Sequence, residues 1–338
     1  MWNIAKIFHT FQSRESCIAF CEEENLIAKG RTCRVHRLPM VLSVMGNSTV
    51  GTFRCRKGSC RTRSAISRFM GTWLENVRIP LPQVFYLMFC YASHWSHELV
   101  RKNSIVREPI LSSATICDWY NYCREAVVLY LVAHQEAVGK IGGPGKNVQI
   151  DESKFGKRKF NKGRSVEGHW VLGMVEDGSD DLRLEVCPGN IRSAEVLIPL
   201  IKKHVTQGTI MSTDCWKAYD GLANHGNEHR KVNHSDPDNP FVAVDGTHTQ
   251  RIESQWRVIK RFFARDNHNS PENFADLIVE YVWRKNVANR HKVPFIRLLD
   301  SFEVIFTSND VLDEYGVLSY FIKNLFCYKS SIDTLHRQ

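Results

Sequence analysis

Three carboxylates stand in settings that suit ligands of a divalent metal ion: Asp151, Asp214 and Glu253. Asp151 closes the apolar run Val148-Gln149-Ile150-Asp151, and Asp214 ends Thr209-Ile210-Met211-Ser212-Thr213-Asp214. Glu253 lies within the helical stretch 247–261, and the two spacings are 63 and 39 residues. Two divalent ions held ~3.5–4 Å apart by such groups activate a water or hydroxyl and stabilise the oxygen leaving a phosphate. Hard oxygen ligands and a phosphate substrate favour Mg²⁺ or Mn²⁺ over zinc. Neighbouring acids fit less well. Glu152 follows Asp151 on a strand and should face the other side. Asp177, Asp180 and Asp181 sit in a turn, and Asp245, just before the helix, is the best substitute for Glu253. Taken alone, Glu253 with Arg257 also reads as an ordinary i,i+4 pair.

A second constellation is Cys33-Arg34-Val35-His36 with Cys55-Arg56-Lys57-Gly58-Ser59-Cys60. Two close pairs of thiolate and imidazole ligands suit a tetrahedral structural Zn²⁺ with no open position. Cys17 and Cys21 are a competing first pair, and free cysteines in a surface loop are the plain alternative. The eleven cysteines are odd in number and scattered, and no secretory signal is seen, which favours a reduced, intracellular protein.

Forty-five Lys and Arg against 36 Asp and Glu give a net charge of +9, which favours a polyanionic partner. Placement sharpens this. Arg54, Arg56, Lys57, Arg61, Arg63 and Arg68 form one acid-free run; Lys154, Lys157, Arg158, Lys159, Lys162 and Arg164 form another, directly after Asp151. Beside a carboxylate site such runs suit a phosphate backbone; solvated loops are the alternative. At 43% hydrophobic and 24% charged the chain reads as globular. No run approaches the ~18–20 apolar residues of a membrane span.

The elements that must position these residues follow from periodicity. Residues 1–65 are polar and rich in Cys and basic side chains. Residues 66–140 read as helices over 81–95, 96–102 and 112–134, a pattern that permits a helix-turn-helix. Residues 141–146, rich in Gly and Pro, read as a linker. Strands are expected at 148–151, 169–175, 182–186 and 209–214, with an Asp177-Gly178 turn and a helix capped by Ser193 before the fourth. The helix carrying Glu253 reads as capped by Thr247 with Gln250, packing Ile252, Trp256, Ile259 and Phe263 inward. A further helix is expected behind Ser270 and Pro271, with Phe274, Leu277, Ile278 and Tyr281 inward. His248 reads chiefly as a helix-entry residue.

The blocks around the carboxylates resemble a known family. Gly142 to Lys159, containing Val148-Gln149-Ile150-Asp151-Glu152-Ser153-Lys154-Phe155-Gly156-Lys157, and Gly163 to Val171 are similar to the first catalytic block of Merlin-type DNA transposases and their bacterial insertion-sequence relatives. Ser212-Thr213-Asp214-Cys215-Trp216-Lys217-Ala218-Tyr219 resembles the second block. Val232-Asn233-His234 with His248-Thr249-Gln250-Arg251-Ile252-Glu253-Ser254-Gln255-Trp256-Arg257 resembles the third. The resemblance spans roughly residues 25–290.

It implies an α/β fold: an RNase H-like core, a mixed sheet flanked by helices, over 146–292. Before it would come a zinc-ribbon-like DNA-binding module (1–65) and a helical, HTH-like segment (66–140), and after it a C-terminal extension (293–338). Asp151, Asp214 and Glu253 would be a DDE triad holding two Mg²⁺ or Mn²⁺ ions, Asp151 bridging both. Water would free the transposon end and the released 3′-OH would attack target DNA. The implied partners are double-stranded DNA, as terminal repeats and target, and a second copy of the chain in a dimer or larger assembly. DNA contacts are expected from Arg54, Arg56, Lys57, Arg61, Arg63, Lys154, Lys157, Arg158, Lys159, Arg257, Lys260 and Arg261. The expected location is the nucleus in a eukaryote and otherwise the cytoplasm, with the DNA. The family's ribbon usually opens with Cys-Pro-x-Cys; here Cys33-Arg34-Val35-His36 replaces one Cys by His and lacks the Pro. Two alternatives stay open: a nuclease or resolvase that cuts without joining, and a co-opted or inactivated DNA-binding derivative.

Overall fold

The computed structural model describes residues 2–44, 50–60, 65–104, 111–134, 138–156, 168–265 and 273–302. The chain divides into two compact units, Met1–Tyr130 with Val293–Gln338, and Leu131–Lys292.

The first unit begins with two short helices, α1 (Ile4–Thr10) and α2 (Arg14–Glu23). Asn3 accepts the Lys6 N–H at 2.9 Å to cap α1, and Ser13 with Ser16 forms a capping box on α2. Three short antiparallel strands follow: β1 (Val41–Ser43), β2 (Thr52–Arg54) and β3 (Ile66–Ser67). Next come α3 (Leu81–Ala92), α4 (His97–Lys102) and α5 (Ser113–Ala133). Every residue of α3 except Pro82 is buried, as a helix apolar on all sides requires. Phe11 stacks on Phe85 at 4.2 Å, and Phe20 meets the same ring edge-on at 5.5 Å. Residues 294–302 are helical, and Trp2 and Trp73 pack on Phe295 and Phe302 at 4.9 and 5.1 Å. Stretches that sequence alone divides at residue 65 and again at 293 thus contribute to one core.

α1 and α2 escape a sequence reading because they are short, 7 and 10 residues, too few turns for a helical period to stand out. The buried set of α2 is Cys17, Ile18, Phe20 and Cys21, in which two thiols behave as small hydrophobes. Arg68, expected in a basic DNA track, is instead buried. Its side chain is 4% exposed, pairs with Glu22 at 2.6 Å and donates to the Ala28 carbonyl at 3.3 Å. It braces α2 and takes no phosphate.

The second unit is a five-stranded mixed sheet of β4 (Asn147–Phe155), β5 (His169–Glu176), β6 (Leu182–Val186), β7 (Ile210–Asp214) and β8 (Glu228–Val232). Their order across the sheet is β6-β5-β4-β7-β8; β4 pairs antiparallel with β5 and parallel with β7. The β5–β6 hairpin turns at Asp177-Gly178, where Gly178 takes φ +76°, a region open to glycine. One face buries Val148, Ile150, Leu172 and Met174 against Leu197 and Ile201 of α6 (Ala194–His204) and against Tyr219 and Leu222. The other carries Phe155, Val171 and Val175 under α7 (Gln250–Arg265) and α8 (Phe274–Asn289). Among the described residues, no helix is long and apolar enough to cross a membrane.

Two sequence expectations change, and one strand is added. β4 does not end at Asp151 but runs to Phe155, because β5 stays paired with it that far. β8, Glu228-His229-Arg230-Lys231-Val232, has no apolar alternation; it is an edge strand held by parallel bonds to β7, and its charges face water. α7 starts at Gln250, so Thr247 is not its cap and there is no Thr247–Gln250 box. Thr247 instead donates its own N–H to Asp245 at 3.0 Å. Behind α7, Phe274, Leu277, Ile278 and Tyr281 are buried as their spacing implies. Ser270 and Pro271 lie outside the described residues.

Candidate active site and metal centre

Parallel pairing of β4 with β7 sets Gln149 opposite Ser212. Two residues further along each strand, on the same face, come Asp151 and Asp214. That face is the one covered by α7, the helix bearing Glu253. The helix comes close because the sheet position opposite Asp151 is Gly173. A Cβ there would lie 2.6 Å from the Trp256 ring and 2.9 Å from Ile252.

Each carboxylate is held by its own partner. Trp256 Nε1 donates to Asp151 Oδ2 at 2.8 Å, across the helix–sheet interface. The backbone N–H of Trp216 donates to Asp214 Oδ1 at 2.9 Å. Thr249 donates to Glu253 Oε1 at 2.7 Å, and His234 Nε2 stands 3.6 Å from the same oxygen. Glu253 forms no ion pair with Arg257, so the i,i+4 alternative is not realised among the described residues. Burial pushes the Asp151 carboxyl up to about 7; the charges of Glu152 and Asp214 add to this, and the Trp256 bond opposes it. Burial disfavours the anionic form here, and a bound cation would favour it.

The residues that support the carboxylates lie far apart in the chain. Gln149, fully buried, accepts the N–H groups of Arg251 and Ile252 at 3.0 and 3.3 Å and so caps α7 from the sheet. Its amide donates to Asp177 Oδ1 at 2.9 Å and meets His248 Nδ1 at 3.2 Å. Asp177 thus anchors the cap, and His248 sits at the helix entry. Glu152 faces away from Asp151, as its strand position implies. Its side chain is 3% exposed, ion-paired to Arg192 at 3.0 Å and hydrogen-bonded by the Tyr219 hydroxyl.

In the first unit, Cys33, His36, Cys55 and Cys60 present four ligand atoms within 4.8 Å of one another, a group that could hold a metal ion. The Cys33 and Cys60 sulfurs are 3.7 Å apart; His36 Nδ1 is 3.7 Å from Cys33 Sγ and 3.5 Å from Cys55 Sγ. Bonds of about 2.3 Å to sulfur and 2.0–2.1 Å to nitrogen at tetrahedral angles put ligand atoms roughly 3.5–3.8 Å apart, so the residues fit such an ion. Hydrogen bonds from the His36 backbone and then its side chain lower the Cys33 thiol to about 6. His36 Nε2 lies 3.4 Å from Ser59 Oγ, a partner that fixes the ring. Cys17 and Cys21 do not join the group. They are buried on α2, and burial pushes the Cys17 thiol up to about 12.

Among the described residues, that quartet is the one group of three or more such ligands so closely gathered. The donor atoms of Asp151, Asp214 and Glu253 stand further apart, each tied to its own hydrogen-bond donor. Of the basic residues, Arg54, Arg56, Lys57, Lys154, Arg257, Lys260 and Arg261 are exposed. Arg61, Arg63, Lys157, Arg158, Lys159, Lys162 and Arg164 lie outside the described residues.

This mixed α/β unit, with carboxylates on neighbouring parallel strands, coincides with a sequence match. Residues 139–286 match the model of the ISXO2-like transposase domain. A transposase-like protein of Haemophilus influenzae is 30% identical over 97 residues, 29% of this chain and 75% of that protein. Male abnormal protein mab-31 of Caenorhabditis elegans is 27% identical over 156 residues, 44% of this chain. The chain spans only about a third of that nematode protein's length, 36%. The chain belongs to a transposase family.

Proposed function

We propose that this chain is a Merlin-type DNA transposase whose second unit is an RNase H-like core. The observation that carries the reading is the register of β4 and β7, which aligns Asp151 with Asp214 beneath the helix of Glu253. The sheet order, antiparallel on one side of β4 and parallel on the other with helices on both faces, supports the same core.

Asp151, Asp214 and Glu253 would hold two Mg²⁺ or Mn²⁺ ions, which supply nucleophile activation and charge neutralisation at the phosphate. The chain's own residues do the rest. Trp256 and the Trp216 N–H orient the two aspartates, and Thr249 orients Glu253. Buried surroundings keep Asp151 poised between protonation states near neutrality in the metal-free protein. Exposed Lys154, Arg257, Lys260 and Arg261 of this unit, and Arg54, Arg56 and Lys57 of the other, offer cations to DNA phosphates. The Cys/His quartet would hold one structural Zn²⁺. The working form would be a dimer or larger assembly on terminal-repeat DNA.

The test is cleavage and strand transfer by the full chain on DNA carrying its element's terminal repeats, with Mg²⁺ or Mn²⁺. Wild type should nick and join; Asp214→Asn should bind without cutting. Unchanged cleavage in that variant would sink the assignment. A second reading, a transposase-derived protein without transfer activity, draws on the likeness to a nematode protein named for a male abnormality. Binding to DNA with no cleavage under either ion would favour it.

A further inference from the structure

Trp216 follows Asp214 by two residues, and its own N–H holds that carboxylate. Trp216 is 38% exposed even though its indole is fixed on several sides. Indole Nε1 donates to the Arg192 carbonyl at 3.3 Å. The Arg192 guanidinium lies 4.2 Å from the Trp216 ring centroid and 4.2 Å from that of Trp170. Lys154 Nζ approaches Trp170 at 5.7 Å. The result is an alternating ladder, Lys154–Trp170–Arg192–Trp216, locked from below by the buried Glu152 carboxylate on Arg192. The orientation of Asp214 does not need the indole, since the bond to Asp214 comes from the backbone.

A rigid, partly bare indole backed by a guanidinium is the chemistry that receives a flat π system next to negative charge. Single-stranded nucleic acid supplies both, because each base stacks on an aromatic face while its phosphate meets nearby cations. Paired bases inside a duplex present no free face. We propose that Trp216 stacks an unpaired nucleobase of a DNA strand passing beside Asp214. This rests on reading Asp214 as part of the DNA-cutting site. The stack would hold the strand at the end of β7, next to Asp214, without regard to base identity.

The test uses the full chain without added divalent ion, so that DNA stays intact. A single-stranded oligonucleotide carrying one 2-aminopurine is titrated and its fluorescence followed. Wild type should quench the probe, and the same strand in a duplex should be quenched much less. Trp216→Leu should lose the quench and bind the single strand roughly 5- to 100-fold more weakly, while Trp216→Phe keeps both largely intact. Equal quenching by the Leu variant, or equal loss in the Phe variant, overturns the proposal. Should the Leu variant not fold, photocrosslinking of wild type to a 5-iodouracil strand decides: a crosslink at Trp216 supports stacking, and crosslinks confined to other residues overturn it. Failure of the cutting assignment appears separately, as no cleavage by wild type with either ion, since the quench reads binding alone.

Discussion

The side-chain carbonyl of Gln149 accepts the backbone N–H of Arg251 at 3.0 Å, so a strand residue closes the first turn of the helix that carries Glu253. The same oxygen takes the Ile252 N–H, and the amide is held in turn by Asp177. Gln149 shares a face of β4 with Asp151. One side chain thereby sets the height of Glu253 above the aspartates. Gln149→Leu leaves two helix N–H groups without that acceptor in a buried place, a cost of about 1–3 kcal/mol. Thermal unfolding of the full chain should shift down by several degrees, and cleavage should fall further than stability alone explains.

Gly173→Ala tests the helix–sheet contact. The added methyl would meet the Trp256 ring at 2.6 Å, and a packed ring cannot yield without moving α7. Destabilisation of about 1–3 kcal/mol is expected, measured by denaturant midpoint at unchanged slope. A neutral result would mean that α7 adjusts freely and is a poor platform for a catalytic carboxylate.

Asp151 should make the metal-free protein's stability fall with rising pH. Its carboxyl titrates near 7 when folded and near 3.9 when unfolded. Between those values the folded state keeps a proton that the unfolded state has lost, so stability decreases from pH 4 to 7 and then levels. Asp151→Asn keeps an oxygen for the Trp256 N–H but carries no charge. It should be more stable than wild type by the order of 2–4 kcal/mol at pH 8 and nearly equal at pH 4. Paired melting curves without added divalent ion check this, and Asn at this position should abolish cleavage.

Zinc analysis of the purified full chain should return one equivalent. Cys55→Ser or Cys60→Ser should lose it and lower the melting temperature, whereas Cys17→Ala should retain it. Retention of zinc by the first two variants would remove the quartet as its site.

Periodicity was enough to read α7, since Ile252, Trp256, Ile259 and Phe263 repeat on one side and are all buried. Its cap is not legible, because the acceptor lies 102 residues away in the chain and Gln149 sits within an apolar run. Cysteine spacing pointed to the quartet but could not set aside Cys17 and Cys21 until α2 placed both in a core. The Arg192 ladder left no local trace, since its two indoles flank the arginine at long range and only in space. β8 stayed hidden because an edge strand tolerates a charged sequence.

The alignment of β4 with β7 has a consequence for how the gene can decay. Side chains on a strand alternate faces, so adding or deleting one codon within residues 210–214 would turn Asp214 toward the Tyr219 side of the sheet while leaving the strand itself pairable. A copy carrying such a change could still fold and occupy DNA, yet be chemically silent. In-frame indels confined to this one strand are therefore the lesions to look for when sorting live copies from domesticated ones.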